Sequence, residues 1–280
     1  MAIGAMLSVQ LGVALSTPLF DQVGATGTAW LRLSWAALIF LLIARPRVRS
    51  MSRRTLAATG VLGLATGAMT LCFMLAIDRI PLGTASAIEF LGPLTVAVVR
   101  SHHLRNIVWP VLAAIGVVGL TEPWAGSTDP VGVGFALLAA LCWATYIVLT
   151  QHVGDRVSGL QGLAISMPVA AVAAAFVGVP AAVGHLDLRV VLISAGLALL
   201  LPVLPFALEL AALRRLSTAT FGTLMSIEPA IALLIGMLVL HQAAAPWQLL
   251  GIVLVVTAGV GAERAGARSA RTPDAPLGCA

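Results

Sequence analysis

"DRIPLGTASAIEFLGPLTVAVV", residues 78–99, and "RRLSTATFGTLMSIEPAIALLI", residues 214–235, align without a gap at an offset of 136 residues. Each is a charged loop, a small-residue helix start and an apolar run with a proline near its middle, Pro93 over Pro229. An apolar run that crosses a bilayer needs about 20 residues. Cutting the rest of the chain at Pro, Gly and charge clusters gives candidate spans near 3–20, 27–43, 55–77, 82–100 and 107–121. A second set lies near 131–150, 159–183, 189–211, 218–240 and 246–262. The two copies fall in the fourth and ninth of these ten spans. Five steps separate them, an odd number, so the second copy enters the membrane upside down relative to the first. The expected fold is an all-α integral membrane protein of ten transmembrane helices, arranged as two inverted five-helix repeats. The repeats would cover 1–125 and 126–262, with a disordered cytoplasmic tail over 263–280.

Composition agrees with a lipid environment. Of 280 residues, 60% are hydrophobic and only 10% charged, against roughly 25% charged in a soluble domain. Mean hydropathy is +1.03. All sixteen basic residues are Arg, and most lie between apolar runs. That placement fits an orientation signal rather than a nucleic-acid surface, so no nucleic-acid partner is expected. With the N-terminus inside, thirteen arginines fall on inner segments: Arg45, Arg47, Arg49, Arg53, Arg54, Arg100, Arg105, Arg156, Arg214, Arg215, Arg264, Arg268 and Arg271. Only Arg79 and Arg189 fall outside, and Arg32 lies within the second span. Both termini are therefore expected in the cytoplasm. The first apolar stretch lacks a basic n-region and a clear cleavage site, and reads as a span rather than a signal peptide.

An ionisable group inside a span costs several kcal/mol on most scales unless it faces protein or water, so such residues are the candidates for a transport pathway. Glu228 lies in "FGTLMSIEPAIALLIGMLVL" (221–240), roughly 15 Å into its span and near the midplane. Its plain structural reading is a protonated acid bonded to a neighbouring helix. Glu89 is roughly 10 Å deep from the outer side, and Arg32 has a similar depth. The two could form an ion pair between helices. Alternatively Arg32 and the acids together could recognise a zwitterion, guanidinium to carboxylate and carboxylate to ammonium. Glu209 sits beside Arg214 and Arg215, so it is either an interfacial acid or a pathway residue. Trp143 and Tyr146 share a helix face and would either pack or line a site. Gln10 is a polar residue mid-span beside the ladder Gly4, Ser8, Gly12 and Ser16, a face suited to close helix packing.

The repeat is not symmetrical in its acids. At the offset of 136, Glu89 falls on Met225 and Glu228 on Gly92. A proline leaves the carbonyl four residues earlier without its helical partner, which here frees the carbonyls of Glu89 and Met225. Irregular backbone inside a membrane is tolerated where it lines a cavity or is buried in protein. Pro202 and Pro205 in "LLLPVLPFALEL" break the eighth span in one half only, since their counterparts are Thr66 and Met69. A gate is expected there. The five His and three Cys show no metal-ligand spacing. No P-loop, G-x-S-x-G or H-E-x-x-H occurs, so neither an ATP-driven pump nor a common hydrolase is indicated, and no cofactor or metal is expected.

Several stretches resemble the EamA-type branch of the drug/metabolite transporter superfamily. They are "IPLGTASAIEFLGPL" (80–94), "CWATYIVLTQ" (142–151) and "LPFALELAALRRLSTATFGTLMSIEPA" (204–230). Within that branch the chain looks like the threonine/homoserine exporters of bacterial inner membranes, from about Gly12 to Gly261. The resemblance implies proton-driven export of small amino acids across the inner membrane. It carries over the positions Arg32, Glu89, Trp143, Tyr146, Glu209 and Glu228. The third span, "GAMTLCFMLAID" (67–78), departs from the expected pattern of Asn and aromatic residues, carrying Thr70 and Cys72. Export of drugs or other metabolites on the same fold is the nearest alternative. A membrane enzyme or sensor is the alternative of a different class, and it lacks a nucleophile set or a signalling domain in this sequence.

Overall fold

The computed structural model describes residues 2–46, 51–101, 107–122, 128–154, 159–205, 208 and 224–269. Among them no β-strand occurs. The helices, in chain order, are α1 (Ala2–Ala14), α2 (Phe20–Ala44), α3 (Arg53–Ile77), α4 (Leu82–Glu89), α5 (Leu91–Ser101) and α6 (Val108–Thr121). They continue with α7 (Pro130–Gly154), α8 (Gly159–Ala182), α9 (Leu188–Ala198), α10 (Glu228–Val239) and α11 (Pro246–Ser269). Six stretches among the described residues are long and apolar enough to cross a membrane: Ala2–Ala44, Arg53–Ile77, Leu82–Val99, Pro130–Thr150, Leu160–Ala182 and Pro246–Arg264. Val108–Thr121, Leu188–Val203 and Glu228–Val239 are shorter apolar helical segments. The stretch Ala2–Ala44 is 43 residues long, about twice what one crossing needs. It is interrupted by a 3-10 turn at Thr17–Leu19 and by Gly24 at φ +71°, a left-handed angle that glycine adopts without a Cβ penalty.

The fourth expected span is two helices, with the break at Phe90 between α4 and α5. Pro93 has no N–H to offer the Glu89 carbonyl, and the helix ends at Glu89 and restarts beyond it. In the second half α10 starts at Glu228, with Pro229 in its first turn, where a missing N–H costs nothing. An acid therefore stands at each of these two helix ends, Glu89 ending α4 and Glu228 beginning α10.

The eighth expected span is broken by a π-turn at Leu199–Val203, where Leu201 leaves the helical region (φ −152°, ψ 114°). Pro202 disfavours helical angles in the residue before it, which accounts for the position of the break. The Ser8 hydroxyl on α1 donates to the Leu200 carbonyl at 2.7 Å, giving that carbonyl a partner. The ladder of small residues on α1 thus serves a packing role here: Gly12 lies against Leu200 and Leu201.

Helix pairing is extensive between α2 and α8, α3 and α7, α3 and α8, and α6 and α11. Smaller contacts join α4 to α10, α1 to α10, and α1 to the π-turn. The α6–α11 seam is closed by backbone: a Cβ on Gly116 would lie 2.7 Å from the Gly251 carbonyl, and one on Gly251 would lie 2.6 Å from the Gly116 carbonyl. Small residues are what allow membrane helices to approach this closely. Outward faces carry large apolar side chains such as Phe176, Leu188 and Val99, which are more than two-thirds exposed and suit contact with lipid.

The last helix differs from expectation. Residues 263–269 continue α11 instead of beginning a disordered tail. Glu263, Arg264, Ala265, Ala267 and Arg268 are good helix formers, and they extend a helix already nucleated by the apolar run before them. Residues 270–280 lie outside the described residues.

Candidate functional site

Between the α4–α5 break and the start of α10 lies a cavity of about 520 Å³. Its walls come from several helices along the chain. Gln10 and Val13 face it from α1, Arg32 and Leu33 from α2, and Met69, Thr70, Phe73 and Met74 from α3. Glu89 and Phe90 come from the first break, Met225 and Glu228 from the second, Trp143 and Tyr146 from α7, and Gly259 and Glu263 from α11.

Arg32 is 3% exposed. One Nη donates to the Met74 sulfur at 3.5 Å, while Nε is buried and has no hydrogen-bond partner. Of the two readings of Arg32, the ion pair with Glu89 does not form. Among the described residues the one ion pair is Arg79–Asp129. Arg32 points from α2 onto Met74 of α3 instead, while lining the same cavity as the acids. A thioether is a weak acceptor, so a buried guanidinium resting on it keeps most of its hydrogen-bonding capacity for whatever enters the cavity.

Glu228 is 6% exposed and Gln10 2%. The Gln10 amide donates from Nε2 to Glu228 Oε1 at 3.1 Å, tying α1 to the start of α10. Glu89 and Glu228 lie within electrostatic reach of one another. Gly92, the position that corresponds to Glu228, packs so tightly on α7 that a Cβ would run into the Ala140 carbonyl. No side chain fits at position 92.

Trp143 packs edge-to-face on Phe90, with ring centroids 6.5 Å apart at 75°, an arrangement favoured by aromatic quadrupoles. The ring at the α4–α5 break is thereby held. Tyr146 lines the cavity one turn further along α7. Pro93 and Pro202 line it too, whereas Pro205 and Pro229 do not. Glu209 lies outside the described residues.

Sequence reasoning missed part of the lining. Met69, Met74, Met167 and Met225 all face the cavity. They give it soft, adaptable walls, and nothing in their spacing distinguishes them from lipid-facing methionines. Thr70 also faces it, but its hydroxyl is spent on the Thr66 carbonyl at 2.9 Å. Local composition assigns Glu263 to the tail; only the continuation of α11 brings it to the cavity. No group of three or more His, Cys, Asp or Glu among the described residues could hold a metal.

Comparison with known proteins agrees with this architecture. Residues 130–261 match the model of the EamA-like transporter family. The chain is 38% identical over 261 residues to the threonine/homoserine exporter RhtA of Escherichia coli strain K12, covering 92% of this chain and 88% of that protein. It is 36% identical, with the same coverage, to the threonine/homoserine exporter RhtA of Salmonella typhimurium strain LT2. One solved crystal structure superposes with a TM-score of 0.53 at 18% identity, covering 97% of each chain, a likeness of fold. Such identity across nearly the whole of both bacterial exporters, together with the family match in the second half, means that this chain belongs to the EamA-like transporter family.

Proposed function

We propose that this protein is a secondary active transporter that exports small amino acids of the threonine/homoserine type across the bacterial inner membrane. The observation that carries the reading is the cavity's polar equipment. A buried guanidinium with no carboxylate partner among the described residues, Arg32, faces the same space as Gln10, Glu228 and Glu89. An α-amino acid has the complementary charges: its carboxylate would take the guanidinium and its ammonium the acids. The volume of about 520 Å³ is ample for a small solute and some water. The names of the relatives support the cargo class.

In this reading the chain is two inverted five-helix repeats, 1–125 and 126–262, with both termini cytoplasmic. The helix contacts support it. Exchanging each helix for its counterpart in the other half maps the α3–α7 contact onto that between the π-turn and α1. The same exchange maps α4–α7 onto α10–α1 and α3–α8 onto α9–α2, while α2–α8, α4–α10 and α6–α11 map onto themselves. Alternating access is the rocking of these halves about the cavity. Glu228 or Glu89 exchanges a proton as the cavity turns from one side to the other, and that exchange couples export to the proton gradient. The eighth-span break at Pro202 is the gate.

Two experiments test the proposal. Cells overproducing the protein are challenged with a panel of inhibitory amino acids and analogues, with resistance to threonine and homoserine expected. Resistance to unrelated drugs alone would redirect the reading to another cargo. In proteoliposomes, Glu228→Gln is expected to lose transport driven by a pH gradient; full retention would remove Glu228 from the coupling step.

A further inference from the structure

Among the described residues, three carboxylates and one guanidinium line the cavity: Glu89, Glu228, Glu263 and Arg32. Glu89 and Glu228 sit at the layer of the two helix breaks. Glu263 does not. Its level is fixed by Gly259, whose missing Cβ would lie 2.7 Å from both the Phe90 ring and the Ser226 side chain, the two residues at the breaks. Glu263 is four residues further along α11, on the same face and about 6 Å toward the helix C-terminus. Ala262 and Ala97 line the cavity beside it. Toward this end the arginine distribution places the cytoplasm. A carboxylate at the end of a span ordinarily extends into the interface and needs no role. Glu263 is instead half-buried and faces the cavity, and no ion pair joins it to any described residue.

Resting on the amino-acid reading above, we propose that Glu263 is a specificity-determining residue at the cytoplasmic mouth of the cavity. Its carboxylate receives the ammonium group of an incoming solute and repels a second carboxylate. With one guanidinium against three acids among the described residues, the cavity accepts one carboxylate per cargo molecule. It therefore selects neutral and cationic amino acids and excludes dicarboxylic ones. Glu263 acts on entry, one helical turn before the solute reaches the layer of the helix breaks, so its removal alters capture and selectivity rather than turnover.

The test is counterflow of radiolabelled threonine in proteoliposomes of the full-length protein, with homoserine and aspartate as competitors at the cytoplasmic face. In the wild type, homoserine is expected to compete and aspartate not. In Glu263→Gln the apparent KM for threonine is expected to rise about fivefold, the factor for one partly exposed charge interaction. The maximal rate should be unchanged, and aspartate should become a competitor. Glu263→Asp, which keeps the charge, restores most of the wild-type KM. Strong competition by aspartate in the wild type would overturn the inference without recourse to any variant. So would a Glu263→Gln protein with unaltered KM and selectivity, or one whose maximal rate falls for every solute at unchanged KM. Absence of wild-type threonine transport would overturn the underlying amino-acid reading together with this inference, whereas a silent Glu263→Gln in a working transporter would overturn this inference alone.

Discussion

Replacing Arg32 by Met separates the two roles a buried arginine can have. If its charge were part of a structural ion pair, removing it would strand a partner and cost about 3–5 kcal/mol. In the structure the guanidinium rests on the Met74 sulfur at 3.5 Å and leaves Nε unpartnered, so no carboxylate is stranded. Arg32→Met exchanges an uncompensated buried charge for an apolar side chain of similar length, and the folded state should be as stable or more so. Transport is a different matter. Each hydrogen bond to a charged group is worth about 1.5–3 kcal/mol, and a forked guanidinium offers two to a carboxylate. Allowing for the cost of desolvating both partners, the loss is about 2–4 kcal/mol, or roughly 30- to 1,000-fold in apparent affinity for threonine. The assay pairs thermal unfolding of the detergent-solubilised protein with threonine transport in proteoliposomes, and includes Arg32→Lys. Lysine keeps the charge but not the fork, so it should recover part of the affinity. A drop of several degrees in the unfolding temperature of Arg32→Met, with transport declining in proportion, would refute the argument. Wild-type affinity in Arg32→Met would refute it equally.

Other substitutions follow from single contacts. Gln10→Ala removes the hydrogen bond to Glu228 Oε1, and about 0.5–1.5 kcal/mol of stability should go with it; unfolding in denaturant measures the loss. Gly92→Ala drives a methyl group into the Ala140 carbonyl, and the overpacking should cost about 1–3 kcal/mol, with Gly92→Glu failing to accumulate in membranes. Outside the membrane, the Asp129 carboxyl is held below its ordinary range, first by the hydrogen bond from Arg79 at 2.9 Å and then by the Val131 amide. A depressed carboxylate stabilises the fold above its unfolded-state pKa of about 3.9 and loses that contribution as pH falls through the lower folded value. The stability difference between wild type and Asp129→Asn should thus stay constant from pH 8 to about pH 5 and vanish in stronger acid. A difference that grows on acidification would contradict the pairing.

The sequence was legible wherever the cost of a residue is local. A proline favours a break or a start in a helix, and a break or a helix start falls beside each of Pro93, Pro202 and Pro229. Yet Pro168 and Pro180 lie inside α8, which runs as one helix from Gly159 to Ala182. There the long packing of α8 along α2 and α3 holds the axis, a non-local effect that no short window contains. The same division separates the charged groups. That Arg32, Glu89 and Glu228 must avoid lipid follows from burial cost alone, and the cavity brings them together. That Arg32 turns to Met74 rather than Glu89 depends on how α2 rotates against α3. Glu263 is misplaced by its local composition, since "ERAGARSARTPDAPLGCA" reads as a tail, while its helical state is inherited from the apolar residues before it.

The backbone contact between Gly116 and Gly251 bears on how this chain can be re-engineered. Because each glycine stands against the other's carbonyl, adding a methyl group to one cannot be relieved by shrinking its partner, which has nothing left to remove. The two codons form one locus with no compensating path. Neither residue borders the cavity, so a library built to change the cargo can hold both fixed without narrowing the range of solutes it explores.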